Sequence, residues 1–311
     1  MLALPEHDAP RSRLRRMLGA SIGQARRTPR CPPNPRLDGQ LAVVTGATGG
    51  IGVEIARGLA ARGAELILPC RSPVKGSALR DQLRATPGAA AEPQLVAMDL
   101  EDLESVRLAA REIETIAAGR RIGLLVENAG VWPSRPRLSR QGHEIAFGVN
   151  VLAHFALRQE LARAGLLDEA RVVVLTGDIY ILEHACTPDY RWSGRAGGMR
   201  AYCRSKLGNL WIARELLRRQ PRLSVYVAHP GVVATNLGGD VGALGSRVKG
   251  WIMLSPEQGA QMPLVCATQG GLVNGGYYHN VHGLMRLHAS DPARDARAAA
   301  ALWELCESLT A

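Results

Sequence analysis

The stretch Leu41-Ala-Val-Val-Thr45-Gly46-Ala-Thr48-Gly49-Gly50-Ile51-Gly52 decides how this chain folds. Its apolar start reads as a short buried strand, the glycines as a tight turn, and Val53 to Arg62 as an amphipathic helix. Gly46, Gly50 and Gly52 allow the turn, a close backbone approach to a pyrophosphate and close packing of helix on strand. The helix N-terminus meanwhile offers free N–H groups to phosphate. The spacing is G-x-x-x-G-x-G rather than the commoner G-x-G-x-x-G, so it is the position after a strand that gives the glycines their meaning. Gly46, Thr48, Gly49, Gly50, Ile51 and Gly52 form the expected phosphate loop.

Working outward, the next strand, Glu65 to Cys70, ends at Arg71, where a dinucleotide fold meets the adenosine ribose. An acidic residue there would accept from the 2′-hydroxyl of NAD, whereas an arginine offers a fork of donors to a 2′-phosphate. NADP is therefore the expected cofactor, with Lys75 adding charge. A third strand, Gln94 to Met98, leads to Asp99-Leu100, with the aspartate placed to reach the adenine amino group or to cap the helix Leu103 to Ala117. The fourth strand, Ile122 to Val126, runs into Glu127-Asn128-Ala129-Gly130, whose small residues let the backbone pass under a cofactor. Glu127 puts a carboxylate near the middle of the sheet, where it needs a partner. Strands alternating with helices predict an α/β fold, a single Rossmann-type domain with a doubly wound parallel sheet.

The second decisive stretch is Tyr202-Cys-Arg-Ser-Lys206. On a helix, Tyr202 and Lys206 project from one face a single turn apart, so a phenol and an ammonium share a small volume. The cation is expected to lower the tyrosine pKa towards the working range and make the pair a proton-transfer device. Only three of the 38 basic residues are lysines, so a chain that favours arginine has lysine here.

Thr45-Gly-Ala-Thr-Gly-Gly-Ile-Gly52, Asn128-Ala-Gly130, Phe147-Gly-Val-Asn150, Ala201-Tyr-Cys-Arg-Ser-Lys206 and His229-Pro-Gly231 stand in the order and spacing of the short-chain dehydrogenases/reductases. The chain resembles that family from about Leu37 to Ala311. Asn150-Val-Leu-Ala-His-Phe155, Ser255-Pro-Glu-Gln-Gly-Ala260 and Leu302-Trp-Glu304 make it most similar to the retinol-dehydrogenase and protochlorophyllide-reductase-like branch. The resemblance implies an NADP-dependent interconversion of an alcohol and a carbonyl on a lipophilic small molecule, within a homo-oligomer. It makes Tyr202 the proton donor and Lys206 its partner, which also holds the nicotinamide ribose. Asn150 becomes a helix-kinking member of a proton relay, and Pro230, Gly231, Val233 and Thr235 lie along the nicotinamide. His154 and Phe155 read as packing residues.

The family pattern also calls for a serine after the fifth strand, Arg171 to Leu175, to hydrogen-bond the substrate oxygen. Here the chain reads Thr176-Gly177-Asp178. Ungapped comparison puts Gly177 at the serine position, and a shift of one residue brings in Thr176, the conservative substitute, or Asp178, which when ionised accepts hydrogen bonds but cannot donate them. The loss of this donor favours a second reading, a non-catalytic NADP-binding module that regulates a partner. Beyond this strand, Tyr190 and Trp192 sit in a loop that either lines the pocket or carries surface aromatics. The apolar face of the helix ending near Arg219 suits burial or a subunit interface. Asn236 to Leu254, with five glycines among apolar residues, reads as a lid.

Composition bounds the rest. A hydrophobic share of 46% and a charged share of 21% are globular values, and no apolar run approaches the ~18 residues of a membrane span. The six cysteines are scattered, as suits reduced thiols in a cytoplasmic protein. His279, His282 and His288 lack a carboxylate or cysteine at suitable spacing, so no metal is expected. Net charge is +10, and residues 1–36 hold eight arginines against two acidic residues. That segment is expected to be a disordered basic N-terminal extension, in weak peripheral contact with a membrane at most, ahead of an NADP-binding domain over 37–311. Nucleic acid is not an expected partner.

Overall fold

The computed structural model describes residues 4–10, 16, 23–194, 196–233 and 253–311. The strand opened by Leu41 is β2 (Leu41–Val44), every residue of which is buried, because helices cover both faces of the sheet. Its neighbours are β3 (Glu65–Cys70), followed by β4 (Gln94–Ala97), on one side and β5 (Ile122–Glu127) on the other. From β5 the sheet continues through β6 (Arg171–Leu175), β7 (Ser224–His229), β8 (Tyr277–His279) and β9 (Gly283–Arg286) to β1 (Glu6–Asp8). All pairings are parallel except β8 with β9. The chain runs outward in opposite directions from β2 and β5, and a doubly wound sheet opens a crevice at such a reversal.

Against one face pack α1 (Ile51–Ala60), α2 (Pro73–Arg84) and α6 (Pro256–Thr268). Against the other pack α3 (Leu103–Ala117), α4 (Ala153–Arg163), α5 (Gly197–Arg219) and α7 (Ala296–Thr310). Local chemistry starts these helices: Ser72 caps α2, and Ser255 with Gln258 forms a capping box on α6. The cap of α3 is Asp102, whose carboxylate accepts from Glu104 N at 3.1 Å, rather than Asp99. Asp99 instead accepts from Glu101 N at 3.0 Å and shapes the turn before the cap. The apolar face of α5 (Leu207, Leu210, Trp211, Leu216) is buried inside the chain, with Trp211 Nε1 donating to Pro292 O at 2.9 Å. Among the described residues no helix is long and apolar enough to cross a membrane.

Where the amino-terminal segment is described, at residues 4–10, 16 and 23–36, it is folded onto the domain rather than extended away from it as expected. Glu6–Asp8 forms β1 and pairs with β9, an otherwise open edge. Arg16 is 2% exposed, and a one-turn helix follows at Gln24–Arg27. Composition read this stretch as surplus positive charge, but the partners of Arg16, Asp178 and Asp291, lie 162 and 275 residues away. Nothing local in the sequence announces them.

Candidate active site

The phosphate loop is built by close approach of main chain. Gly46 has φ +66°, and a Cβ there would lie 2.7 Å from Ala129 Cα; one at Gly52 would lie 2.1 Å from Gly46 O. Neither backbone neighbour can yield, so both positions require glycine. At Gly49 an added Cβ meets nothing within 4 Å. Asn128 ties the ends of β2 and β5 together, its Nδ2 donating to Thr45 O at 2.9 Å and Gly46 O at 3.2 Å. The Thr45 hydroxyl accepts from the N–H groups of Asn128 (3.0 Å) and Ala129 (3.1 Å) and lies 2.9 Å from His154 Nε2. His154, expected only to pack, thus braces the loop, and burial lowers its pKa.

The loop opens on a cleft of about 1110 Å³, ample for a dinucleotide. Of the expected residues, Gly46, Thr48, Gly49, Gly50, Ile51, Arg71, Asp99, Leu100, Asn128, Ala129, Gly130, Thr176, Tyr202, Lys206 and Pro230 line it. Gly52, Asn150, Gly231 and Val233 are not among the lining residues, and Thr235 and most of the expected lid lie outside the described residues. At the rim Arg71, Lys75, Arg135 and Arg137 outnumber Asp99 and Glu101. Arg71 is 67% exposed and already bonded to Glu101 at 3.1 Å; Arg137 shares the same carboxylate. A glycine cradle at a helix start with a cationic rim fits the phosphates of a dinucleotide.

Tyr202 and Lys206 share one face of α5 and meet in the cleft. The Tyr202 ring stacks on Trp132 with centroids 4.8 Å apart and planes 7° from parallel, and Lys206 Nζ sits 5.5 Å from the Tyr202 centroid. Lys206 donates to Leu175 O at 3.1 Å, a carbonyl that also accepts from Asn209 Nδ2. Burial lowers the Lys206 pKa to about 8. The expected lowering of the tyrosine pKa is not what the geometry gives: burial pushes the Tyr202 phenol up, and the ammonium is turned to a carbonyl.

Asn150 lies in a π-helical turn, Gly148–Leu152, between a short helix at Ile145–Phe147 and α4. This is the distortion the resemblance implied, and π-turns gather at functional sites. Its Oδ1 accepts from Val131 N at 2.7 Å, and its Nδ2 donates to Val131 O (3.0 Å) and Ser205 Oγ (2.8 Å). A Cβ on Gly130 would stand 3.3 Å from Asn150 Oδ1 and 3.7 Å from Lys206 Nζ, so glycine there keeps the lane between the two side chains open.

The end of β6 holds the largest surprise. Thr176 lines the cleft, but its hydroxyl donates to Lys206 O at 2.8 Å, so its one proton is spent on tying β6 to α5. Gly177 contributes no side chain. Asp178 is turned into the protein, where Oδ1 accepts from Arg16 Nη2 (2.9 Å) and Tyr277 OH (2.5 Å) and Oδ2 lies 3.3 Å from His279 Nε2. The same guanidinium bonds Asp291 at 2.7 Å and Tyr180 OH at 2.8 Å. Burial works against the Asp178 charge, but the His279 contact and the Arg16 guanidinium outweigh it and hold the carboxyl far below its usual range. Among the described residues, then, neither Thr176 nor Asp178 offers a free donor from β6 to a substrate oxygen.

Asp178, His229 and His279 have ligand-type atoms all within 4.8 Å of one another. His279 Nδ1 accepts from Val281 N at 3.0 Å, so the ring hydrogen sits on Nε2 and faces Asp178. A metal would need that lone pair, and metal-bound histidines use the other nitrogen as a donor. With Arg16 alongside, the cluster is an ionic lock. Glu127, one strand over, finds the partner its position demanded: Arg158 Nε at 2.9 Å, both side chains buried.

Tyr190 and Trp192 do not line the cleft. Tyr190 lies beneath the Arg204 guanidinium, 4.6 Å from its ring centroid, and Trp192 packs on Gly197 and Gly198 at the start of α5. The aromatic at the site is Trp132, which sequence reasoning passed over. Its signal was its place, two residues beyond Gly130 at the carboxyl end of a central strand.

Comparison with known proteins agrees with this geometry. The family described as short chain dehydrogenase matches residues 40–183. Mouse retinol dehydrogenase 12 is 34% identical over 292 residues, covering 90% of this chain and 89% of its own. Bovine dehydrogenase/reductase SDR family member 13 is 36% identical over 308 residues, covering 91% and 76%. Among solved structures, an uncharacterized protein from Mycobacterium paratuberculosis superimposes with a TM-score of 0.70 at 31% identity, covering 89% of this chain and 95% of that one. A blue fluorescent protein from a metagenomic library, solved in complex with NADPH, gives 0.64 at 26% identity, covering 80% and 99%.

Proposed function

The chain belongs to the short-chain dehydrogenase/reductase family, and from that premise we propose that it is an NADP(H)-dependent oxidoreductase interconverting an alcohol and a carbonyl on a lipophilic small molecule. The observation that carries the reading is the meeting of Tyr202 and Lys206 in the same cleft as the Gly46–Gly52 cradle. When bound, the nicotinamide supplies or accepts the hydride. In reduction, Tyr202 donates the proton that the nascent alkoxide needs. Lys206, held by the Leu175 carbonyl, keeps positive charge beside the phenol, and Asn150 fixes the Val131 peptide and Ser205 on the other side of Gly130. Arg71 and Lys75 at the rim support NADP over NAD, and the NADPH held by the metagenomic relative supports the same choice. Trp132, stacked on Tyr202, supports an apolar substrate.

One observation favours a second reading. With Thr176 committed and Gly177 bare, β6 supplies no donor to the substrate oxygen, as in a non-catalytic NADP-binding module. The loss of such a donor costs about 3–4 kcal/mol in the transition state, which slows a reaction without abolishing it. NADPH oxidation against a panel of lipophilic aldehydes and ketones, with Tyr202→Phe as control, separates the two. Turnover that falls about 10²–10⁴-fold in the variant is expected. Tight NADPH binding without any tyrosine-dependent turnover would favour the module.

A further inference from the structure

Gln24 is 2% exposed and lies against the loop that follows β7. Its side-chain amide pairs with both polar groups of Val232: Nε2 donates to Val232 O at 3.0 Å, and Val232 N donates to Oε1 at 3.1 Å. Two-point pairing of this kind fixes the orientation of a peptide, as a strand neighbour would. Val232 O also accepts from Leu254 N at 2.8 Å, and Val233 bridges to Leu254. The loop is therefore held between Gln24 and Leu254, 230 residues apart in sequence.

Gln24 is itself braced. The Thr28 hydroxyl donates to Gln24 O at 2.9 Å, and Asn280 Nδ2 donates to the Thr28 hydroxyl at 3.1 Å. Asn280 in turn is anchored by its own N–H on His229 O at 3.1 Å. The fit is close on every side. Gly231 has φ +90°, and a Cβ there would lie 2.6 Å from Asn280 Nδ2 and 2.8 Å from Gln24 Oε1. Pro230, in the same loop, lines the cleft with Tyr202 and Lys206.

We propose that Gln24 is a positioning residue of the cofactor site, holding the Pro230–Val232 loop in register at the Tyr202 end of the cleft. The amino-terminal segment is then part of the binding machinery, although it lies outside the stretch whose motifs define the fold. The inference rests on the NADP reading above. It predicts that Gln24 matters to the nicotinamide half of the cofactor and not to the adenine half, which meets the protein at Arg71 and Asp99.

The test is direct binding to the full-length protein of NADPH and of adenosine 2′,5′-bisphosphate, the adenine half alone, by wild type, Gln24→Met and Gln24→Glu. Methionine keeps the packing and loses both hydrogen bonds; the carboxylate keeps the acceptor and loses the donor. Two neutral hydrogen bonds correspond to a loss of about tenfold in NADPH affinity for Gln24→Met, and the one bond lost to a smaller fall of about threefold for Gln24→Glu, with affinity for the bisphosphate unchanged. Unchanged NADPH affinity in both variants overturns the inference, and so does an equal loss for both ligands, which marks general loosening. Wild type that binds neither ligand overturns the NADP reading and this inference with it; wild type that binds both, with indifferent variants, overturns this inference alone.

Discussion

The two halves of the cleft floor are built by opposite means. At the β2–β5 side, glycine and main chain do the work: Gly46, Gly52 and the Asn128 amide bring two strand ends and a helix start within contact distance. At the β6–β7 side, charged and aromatic side chains far apart in sequence converge: Arg16, Asp178, Tyr180, Tyr277, His279 and Asp291 form a buried lock behind Gly177. The first half is main-chain packing that leaves no room for a side chain at Gly46 or Gly52. The second half is long-range, and its stability depends on every charge keeping its partner.

If the lock holds the β6–β7 side in this way, Arg16→Met leaves Asp178 and Asp291 without their cation. A loss of about 3–5 kcal/mol in urea unfolding is expected, comparable with Arg158→Met, which strands Glu127. A cost under about 1 kcal/mol for Arg16→Met alone would show that the lock is dispensable and the contrast false.

On the glycine side, Gly52→Ala drives a methyl group into the Gly46 carbonyl and displaces the loop. NADPH affinity is expected to fall about 100-fold, against a stability loss of only about 1–3 kcal/mol. Titration calorimetry with thermal melts measures both.

Lys206 links the halves, and its charge sets a pH limit. Burial lowers its pKa from 10.5 to about 8, so the folded protein loses the ammonium as pH rises through about 8. A Lys206-dependent rate declines above that point, approaching about tenfold per pH unit, and Lys206→Arg removes this limb. Stability runs the other way: the buried charge is a penalty below about 8 that is relieved between there and 10.5, where the unfolded chain binds more protons. A smaller effect is expected at the rim. Arg71→Ala should reduce the preference for NADPH over NADH by about fivefold, because the guanidinium is exposed and shared with Glu101. Matched titrations with the two cofactors check it.

What could be read from sequence follows the same division. The glycine turn after β2, the doubly wound sheet, the shared helix face of Tyr202 and Lys206 and the need of Glu127 for a partner were all legible, because each rests on neighbours a few residues apart, on the alternation of strands with helices or on a rule about buried charge. Arg16 was not: among eight arginines in a basic leader, one that is buried looks like the rest until Asp178 is folded against it. Thr176 misled for a related reason. Its hydroxyl is of the right type, but whether it is free depends on the Lys206 carbonyl across α5, which no spacing reveals. Trp132 and Trp192 were indistinguishable as residue types; topology alone puts one on Tyr202 and the other on the start of α5.

In the proposed function Tyr202 and Lys206 work beside a β6 end that lacks its hydrogen-bond donor. Gly177 is extended at φ −156°, and an added Cβ would meet nothing nearer than 3.8 Å, so a serine fits there without strain. Single-turnover hydride transfer from NADPH to a lipophilic ketone, comparing wild type, Gly177→Ala and Gly177→Ser, measures what the missing donor costs. A gain of about 10²-fold is expected for Gly177→Ser alone, with Gly177→Ala near wild type. Equal rates in all three proteins would contradict it.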